Sequence, residues 1–455
     1  MSRVPNTRLE TLVQAAGLSV AQLARAMRAL AAEQDLSLSY APTTVRRWLA
    51  GSQPRPPAPA LLLECLSRHL RRPVSAEEAG LTHTPAVAVD PAWEADPLRK
   101  LSRLTGAELD PARQSLLGTD VFSLAALVMP QRIMSPSAAG QPASAGPCSA
   151  RPGPAEAERS RSTPTEADCM HGMATLFHMA ADRYGGEPVR AALAAFLAQH
   201  VVPAIAAPGR EQIPRDVLSA AAQLTLLLGN MSADSGHDRT AQHYHHIAAR
   251  FSADAGDSAT LAITLRAMAA HAHELGHHTP AVLHLSQQAV SLADAAPPAV
   301  QAYTQALHAV LLAHHDRRAA LDALARAERL HARTDGPPGP FTAYPVGALC
   351  YQRAQTLSVL GDHSGAVKAL NTSLRLRTAN EDRSIALTRA RLAETHLRIG
   401  HLEQALTHWQ AFLTAYAALR SARATRHLRT MRELLQPHQR HRTAHQLLVQ
   451  ARLFR

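Results

Sequence analysis

Apolar residues recur at helical spacing along most of the chain, and no stretch alternates as a strand would. One clear stripe runs through Val20, Leu23, Met27 and Leu30, with Ser19 as a suitable N-cap before it. Alanine and leucine dominate a composition that is 46% hydrophobic and only 4% aromatic. Both residues favour helices, so we predict an all-α protein.

A short helix near residue 45 has two unlike faces. We expect Thr43 to cap it, Gly51 to end it, and three residues to face the core: Val45, Trp48 and Leu49. The outward positions are Thr43, Thr44, Arg46 and Arg47. Arginine can bond a guanine edge or a phosphate, and threonine a thymine methyl or a phosphate, so this face suits the DNA major groove. A solvated basic face is the alternative.

Composition divides the chain into three parts. Residues 1–82 form a small helical domain, 83–165 a Pro/Ala/Ser-rich linker, and 166–455 a long helical region. We expect 135–166 to be a flexible tether that lets the two ends move separately. The apolar run Val121–Met129 is too short to span a bilayer and is expected to pack within the linker.

The helical region contains a repeated pattern. A turn residue precedes an alanine by five positions at Gly236, Gly276, His315, Gly361 and Gly400, with offsets of 40, 39, 46 and 39. A mostly small residue lies seven positions before each turn: Gly229, Ala269, His308, Ala354 and Ala393. Five helical hairpins that stack into one continuous core explain both series. The third unit is the weakest, because histidine replaces both small residues.

The net charge of +11 is concentrated at the two ends. Residues 1–72 hold ten arginines against four acids, which gives +6, and 420–455 hold nine arginines against Glu433, which gives +8. We expect the C-terminal helix to be a solvated cap, with a second nucleic-acid contact as the alternative. Most of the other histidines, including His243, His245, His246, His314 and His315, are expected to be solvated, with a pH-sensitive or metal-tuned array as the alternative. The four cysteines show no metal or disulfide spacing and no signal peptide is evident, so a cytoplasmic protein without a membrane partner is expected.

The N-terminal residues resemble the phage-repressor (XRE-type) helix-turn-helix at Gly17-Leu18-Ser19, Gln22–Arg25 and Thr44–Gly51 followed by Pro54. The eighteen residues between Ala24 and Thr43 exceed the usual spacing, so either the second helix extends to about Glu33 or an extra loop follows it. The repeats resemble a tetratricopeptide array. The helix-turn-helix domain is followed by the linker, then by the segment Asp182-x-x-Gly-Gly, and then by the repeat array. This arrangement resembles that of actinobacterial transcription regulators, some of which restrain sporulation and antibiotic production.

This resemblance implies a ligand groove lined by the first helix of each hairpin. The implied polar and aromatic lining residues are Gln223, Arg266, His273, Gln305, Tyr351, Gln355 and Glu394. Amide side chains donate and accept, which suits the backbone of an extended peptide. An unoccupied groove, or one filled by this chain itself, is the alternative.

The stretch His271–Ala281 supports two incompatible interpretations. His273, Glu274 and His277 spell H-E-x-x-H, a zinc peptidase motif if one helix continues through it. The repeat instead makes Gly276 a turn, which would separate the two histidines. Pro280 and Leu283 stand where the extended metal motif needs Gly and His. We therefore expect no metal or cofactor and no enzymatic activity.

Together these patterns predict a DNA-binding transcription regulator whose array binds a peptide, small molecule or protein partner. A homodimer on double-stranded DNA is expected, since one small domain rarely supplies operator affinity. The alternatives are a zinc metallopeptidase-type regulator and a protein scaffold that does not bind DNA.

Overall fold

The structure is a computed structural model of the 455-residue chain. It describes residues 4–33, 36, 38–81, 93–114, 117, 121–130, 133, 165–207, 213–334 and 343–454. Across these residues it is all-helical, as the sequence predicts. Most of the expected tether, 135–164, lies outside them.

Four helices build the N-terminal domain: α1 Thr7–Ala15, α2 Val20–Glu33, α3 Pro42–Leu49 and α4 Ala58–Leu70. Their apolar faces share one core, in which Leu9, Leu23 and Leu61 are fully buried. The second helix does extend to Glu33, and Ser19 caps it reciprocally with Gln22. The extension of α2 to Glu33 therefore accounts for part of the long spacing before α3.

The remaining helices follow in chain order. They are α5 Pro97–Leu109, α6 Pro111–Gln114, α7 Glu166–Tyr184, α8 Glu187–Phe196, α9 Val202–Ala206, α10 Arg215–Asp234, α11 Asp238–Ala255, α12 Ser258–Glu274, α13 Pro280–Leu292, α14 Pro298–Leu312, α15 Arg317–His331, α16 Val346–Val359, α17 His363–Leu376, α18 Asp382–Arg398, α19 Leu402–Tyr416, α20 Ala422–Leu435 and α21 Arg442–Ala451. From α10 onward they pack as consecutive antiparallel pairs.

All five predicted hairpins form at the predicted turns. Gly236, Gly276, Gly361 and Gly400 each have φ between 81° and 85°, a left-handed conformation that glycine adopts without steric cost. The third turn, at His315, folds with other geometry, and its pair α14–α15 packs like the rest. The longer offset of 46 arises between α15 and α16, outside the hairpins themselves.

The array closes on itself. The helices α20 and α21 form a sixth hairpin, and α20 contacts α10 of the first one. The Arg420 N–H donates to the Tyr184 carbonyl at 3.1 Å, and Arg383 pairs with Asp182 at 2.8 Å. The Ser421 hydroxyl donates to buried Asp234 at 2.7 Å. Residues about two hundred positions apart thus join the two ends of the array.

Residues 121–130 form a strap between the N-terminal domain and the array. Their side chains are largely buried, as the apolar run predicts, and Phe122 is 1% exposed. The Ser123 backbone exchanges two 2.8 Å hydrogen bonds with the Gln242 side chain on α11. The Leu124 N–H donates to Glu64 on α4 at 3.0 Å. Helix α5 also packs on the array, so the described part of the predicted linker is folded onto it.

One stretch, 187–206, is long and apolar enough to cross a membrane by length and composition alone. It comprises α8, α9 and the π-turn between them, and it packs on α5, α7 and α10. Leu193 and Val201 are fully buried in the largest core cluster. Core helices pass the same test, so this is weak evidence for a membrane span.

Candidate functional site

Helix α3 is anchored by two buried side chains. Val45 is fully buried, Trp48 is 6% exposed, and the Tyr40 ring meets the Trp48 ring edge-on at 5.8 Å. Leu49 packs half-buried against the same core. These contacts fix the rotation of the helix about its axis, because each anchor lies on one face.

The opposite face of α3 is open. Thr43, Arg46 and Arg47 are exposed and Thr44 is half-buried. Positions three or four apart lie together on a helix, so Thr43, Arg46 and Arg47 form one surface. One expectation was wrong: the N-cap is Ala41, with Pro42 in the first turn, and Thr43 is already inside the helix. Proline has no N–H to satisfy and a suitable φ, so it starts the helix without a side-chain cap.

The basic charge around α3 is available to a partner. Among the described residues, Arg25, Arg28, Arg46, Arg47 and Arg55 are exposed and form no ion pair. The arginines of α4 differ: Arg68 bridges Glu33 and Glu64, each at 2.8 Å, and Arg72 pairs with Glu78. Acids therefore neutralise the far side of the domain and leave the α2–α3 side positive.

The predicted groove residues of the first hairpins mainly contact the chain itself. Gln223 donates to the Thr260 hydroxyl at 3.3 Å. Buried Arg266 stacks 3.5 Å from the centre of the Tyr303 ring, and its Nε donates to the Tyr303 carbonyl at 2.9 Å. Gln305 is also buried.

The later groove residues belong to a buried charge network. Glu394 accepts from His427 at 2.6 Å and pairs with Arg391 at 3.2 Å. Burial opposes ionisation, but Arg391 and His427 outweigh it and hold the pKa of Glu394 below its ordinary value. Tyr351 interacts electrostatically with Arg391 and helps to raise the pKa of that guanidinium, and Gln355 lies half-buried on the same helix as Tyr351. Several of the predicted groove residues thus contact other residues of the chain itself.

The H-E-x-x-H spelling does not lie on one helix. Helix α12 ends at Glu274, and the chain reverses at Gly276. His277 therefore follows the turn and stacks on the Phe122 ring at 5.6 Å, while Glu274 pairs with Arg423 at 2.7 Å. A zinc peptidase motif requires both histidines on one continuous helix, and here His273 and His277 lie on opposite sides of a turn. His273 lies instead with its Nδ1 3.2 Å from Nδ1 of His278.

The C-terminal helix is not merely a solvated cap. In α20 the Arg423 side chain is 25% exposed and faces the interior, where it pairs with Glu274. His427 on the same helix meets Glu394. For this face of α20 the expectation was wrong, because arginine spacing alone does not show what the other face of the helix contacts. Arg429, Arg440 and Arg442 are exposed, as expected.

Several predicted surface histidines are buried. His243, His245 and His246 lie inside the first hairpin, and His246 stacks on Trp93 at 3.9 Å. Burial holds the pKa of each well below the ordinary histidine value.

Comparison with known families matches one small part of the chain. The family described as the SP15 N-terminal domain matches residues 9–82, which coincide with the helical domain of α1–α4. No curated protein matches the chain.

Proposed function

We propose that this chain is a DNA-binding transcription regulator whose closed helical array controls the N-terminal domain. The observation that carries the proposal is the two-faced helix α3, with Val45 and Trp48 buried and Thr43, Arg46 and Arg47 exposed. A short, rigidly anchored helix with arginines outward is what major-groove docking requires. We place the protein in the cytoplasm and expect a homodimer on DNA.

The strap supplies a physical connection between the array and the DNA-binding domain. Ser123 is held by Gln242 of the array, and the next residue, Leu124, donates to Glu64 of α4. Any ligand or partner that shifts α11 or α12 therefore acts on the position of α4. We propose a peptide, small molecule or protein partner as this effector, in keeping with the resemblance to sporulation and antibiotic regulators.

Selection of DNA sequences by the full-length protein tests the proposal. We expect one discrete motif to be enriched. Arg46→Ala should weaken binding to it by about 1–3 kcal/mol, roughly five- to 150-fold, and relax the preference at one base pair. Arg47→Ala should lower affinity and reduce the salt dependence by about one unit if it contacts a phosphate.

Arg318→Ala is the matched control, since it removes the same charge from an exposed site on α15. It should leave the affinity for the selected motif unchanged. Failure to enrich any sequence, or equal losses in Arg46→Ala and Arg318→Ala, would overturn the proposal and favour a scaffold that does not bind DNA.

A further inference from the structure

Three histidines from two neighbouring inter-helix turns meet on the array. His273 closes the last turn of α12, His278 follows Gly276, and His314 lies in the turn between α14 and α15. Their nitrogen ligand atoms all lie within 4.8 Å of one another. We propose that His273, His278 and His314 form a binding site for a divalent transition-metal ion of the Zn²⁺ class.

The nitrogen separation fits tetrahedral coordination. His273 Nδ1 and His278 Nδ1 are 3.2 Å apart. Two nitrogens bound to Zn²⁺ at roughly 2.0–2.1 Å in a tetrahedron stand about 3.3 Å from each other. This pair is therefore already at chelating distance, before any ion is bound.

The third ring stands next to the pair. The His314 ring stacks on the His278 ring at 3.8 Å and lies 5.4 Å from the His273 ring. Its Nε2 is shielded from solvent and has no hydrogen-bond partner among the described residues. Rotation of the His314 side chain would bring one of its nitrogens toward Nδ1 of His273 and Nδ1 of His278. A bond to the metal would then replace the stacking contact between His314 and His278.

The electrostatics keep these rings in the form that binds metal. Burial and the two neighbouring imidazoles lower the pKa of His273 to about 3, and burial lowers the pKa of His278 and His314. Arg391 also faces His273 and opposes a cation, but its charge is compensated by Glu394. His315 faces His278 and His314 from the exposed side of the turn. The direction of these pKa changes favours the uncharged imidazoles that metal ligation requires.

The ligand set indicates the ion and the role of the site. Imidazole suits Zn²⁺, Cu²⁺ and Ni²⁺, whereas Ca²⁺ and Mg²⁺ need oxygen ligands. Three protein ligands leave one tetrahedral position for water or an outside donor. Since the ligands come from the second and third hairpins, a bound ion would fix the two turns to each other. The site shares His273 with the H-E-x-x-H sequence but uses neither Glu274 nor His277.

Metal titration of untagged, chelator-treated full-length protein tests the site. We expect one Zn²⁺ ion per protein molecule to bind more tightly than any further Zn²⁺ ions. Co²⁺ bound in place of that ion should give the intense visible absorption of a tetrahedral complex. His278→Gln and His314→Gln should each weaken this equivalent by roughly tenfold or more. Zn²⁺ should raise the Tm of the wild-type protein and not that of the variant that carries both His278→Gln and His314→Gln.

His284→Gln is the control, because His284 is exposed on α13 outside the cluster. This substitution should leave the affinity for the tightly bound Zn²⁺ ion unchanged. The result would distinguish the proposed site from the other histidines of a chain that has 26. Equal affinity in the wild-type protein and a folded double variant, or only weak octahedral Co²⁺ absorption, would overturn the proposal. Metal binding is measured without DNA, so its failure leaves the DNA-binding proposal standing.

Discussion

His245 occupies the space that Gly229 leaves open in the first hairpin. A Cβ on Gly229 would lie 2.6 Å from His245 Cδ2, so the small residue of the repeat pattern makes room for this ring. His245 Nε2 lies 3.2 Å from Asn230 Oδ1. Burial, with lesser effects from His271 and Arg423, lowers the pKa of His245 to about 3.

This buried imidazole should make the stability of the array depend on pH. The unfolded chain binds a proton near pH 6.5 and the folded one near pH 3, so stability is full above pH 6.5 and is lost as pH falls between these values. At pH 5 the loss from His245 is roughly 2 kcal/mol. We expect thermal unfolding at pH 7.5 and 5.0 to show a fall in Tm that is smaller in His245→Gln. An equal fall in both proteins would show that His245 is not the source.

Residue-level chemistry was only partly predictable from the sequence. The periodicity of α3 identified Val45 and Trp48 as core and Arg46 and Arg47 as exposed, since a single helix fixes these faces. The buried histidines were missed because histidine has no strong preference for interior or surface. Their environment depends on which helix packs opposite, and local spacing does not determine that.

At the scale of single elements, the strap is the segment whose apolar run joins two separate cores. Phe122 meets the His271 ring edge-on at 5.1 Å and lies parallel to the His277 ring at 5.6 Å. The same cluster includes Leu265 and Leu285 of the array. The apolar run Val121–Met129 predicts that the segment is buried. It does not predict that the segment packs against the second hairpin.

Removing the Phe122 side chain should release the N-terminal domain. Phe122→Ala leaves a cavity that costs about 3–5 kcal/mol of local packing. We expect small-angle scattering to show a larger radius of gyration and proteolysis near residue 122 to accelerate. Val128→Ala is the control, because Val128 belongs to the same segment and is 58% exposed. Similar behaviour of both variants would contradict a specific role for Phe122.

Over the whole molecule, closure of the array rests on a glycine contact and a buried charge network. Gly185 has φ 89° and ψ 171°, a region that only glycine adopts readily, and its backbone abuts that of Arg420. Beside it, Asp234 accepts from Ser421 and the Gly186 N–H and pairs with Arg383. Helix periodicity predicted the hairpins but not this closure, since it relates only sequence neighbours.

Gly185→Ala should destabilise the closed array. The added Cβ would collide with the Arg420 backbone in a conformation that alanine avoids, at a cost of about 2 kcal/mol or more. Gly256→Ala is the control, since Gly256 has φ 71° with open space around it. We expect calorimetry to show a distinctly larger fall in Tm for Gly185→Ala. Equal falls would mean that the closing contact adds no stability.

Closure also limits how such a protein can change its length in evolution. An open solenoid gains or loses units freely, because each unit contacts only its neighbours. Here the sixth hairpin must return to the first, with α20 beside α10 and Ser421 beside Asp234. Insertion or deletion of one hairpin would separate these pairs, so the number of repeats is set by geometry.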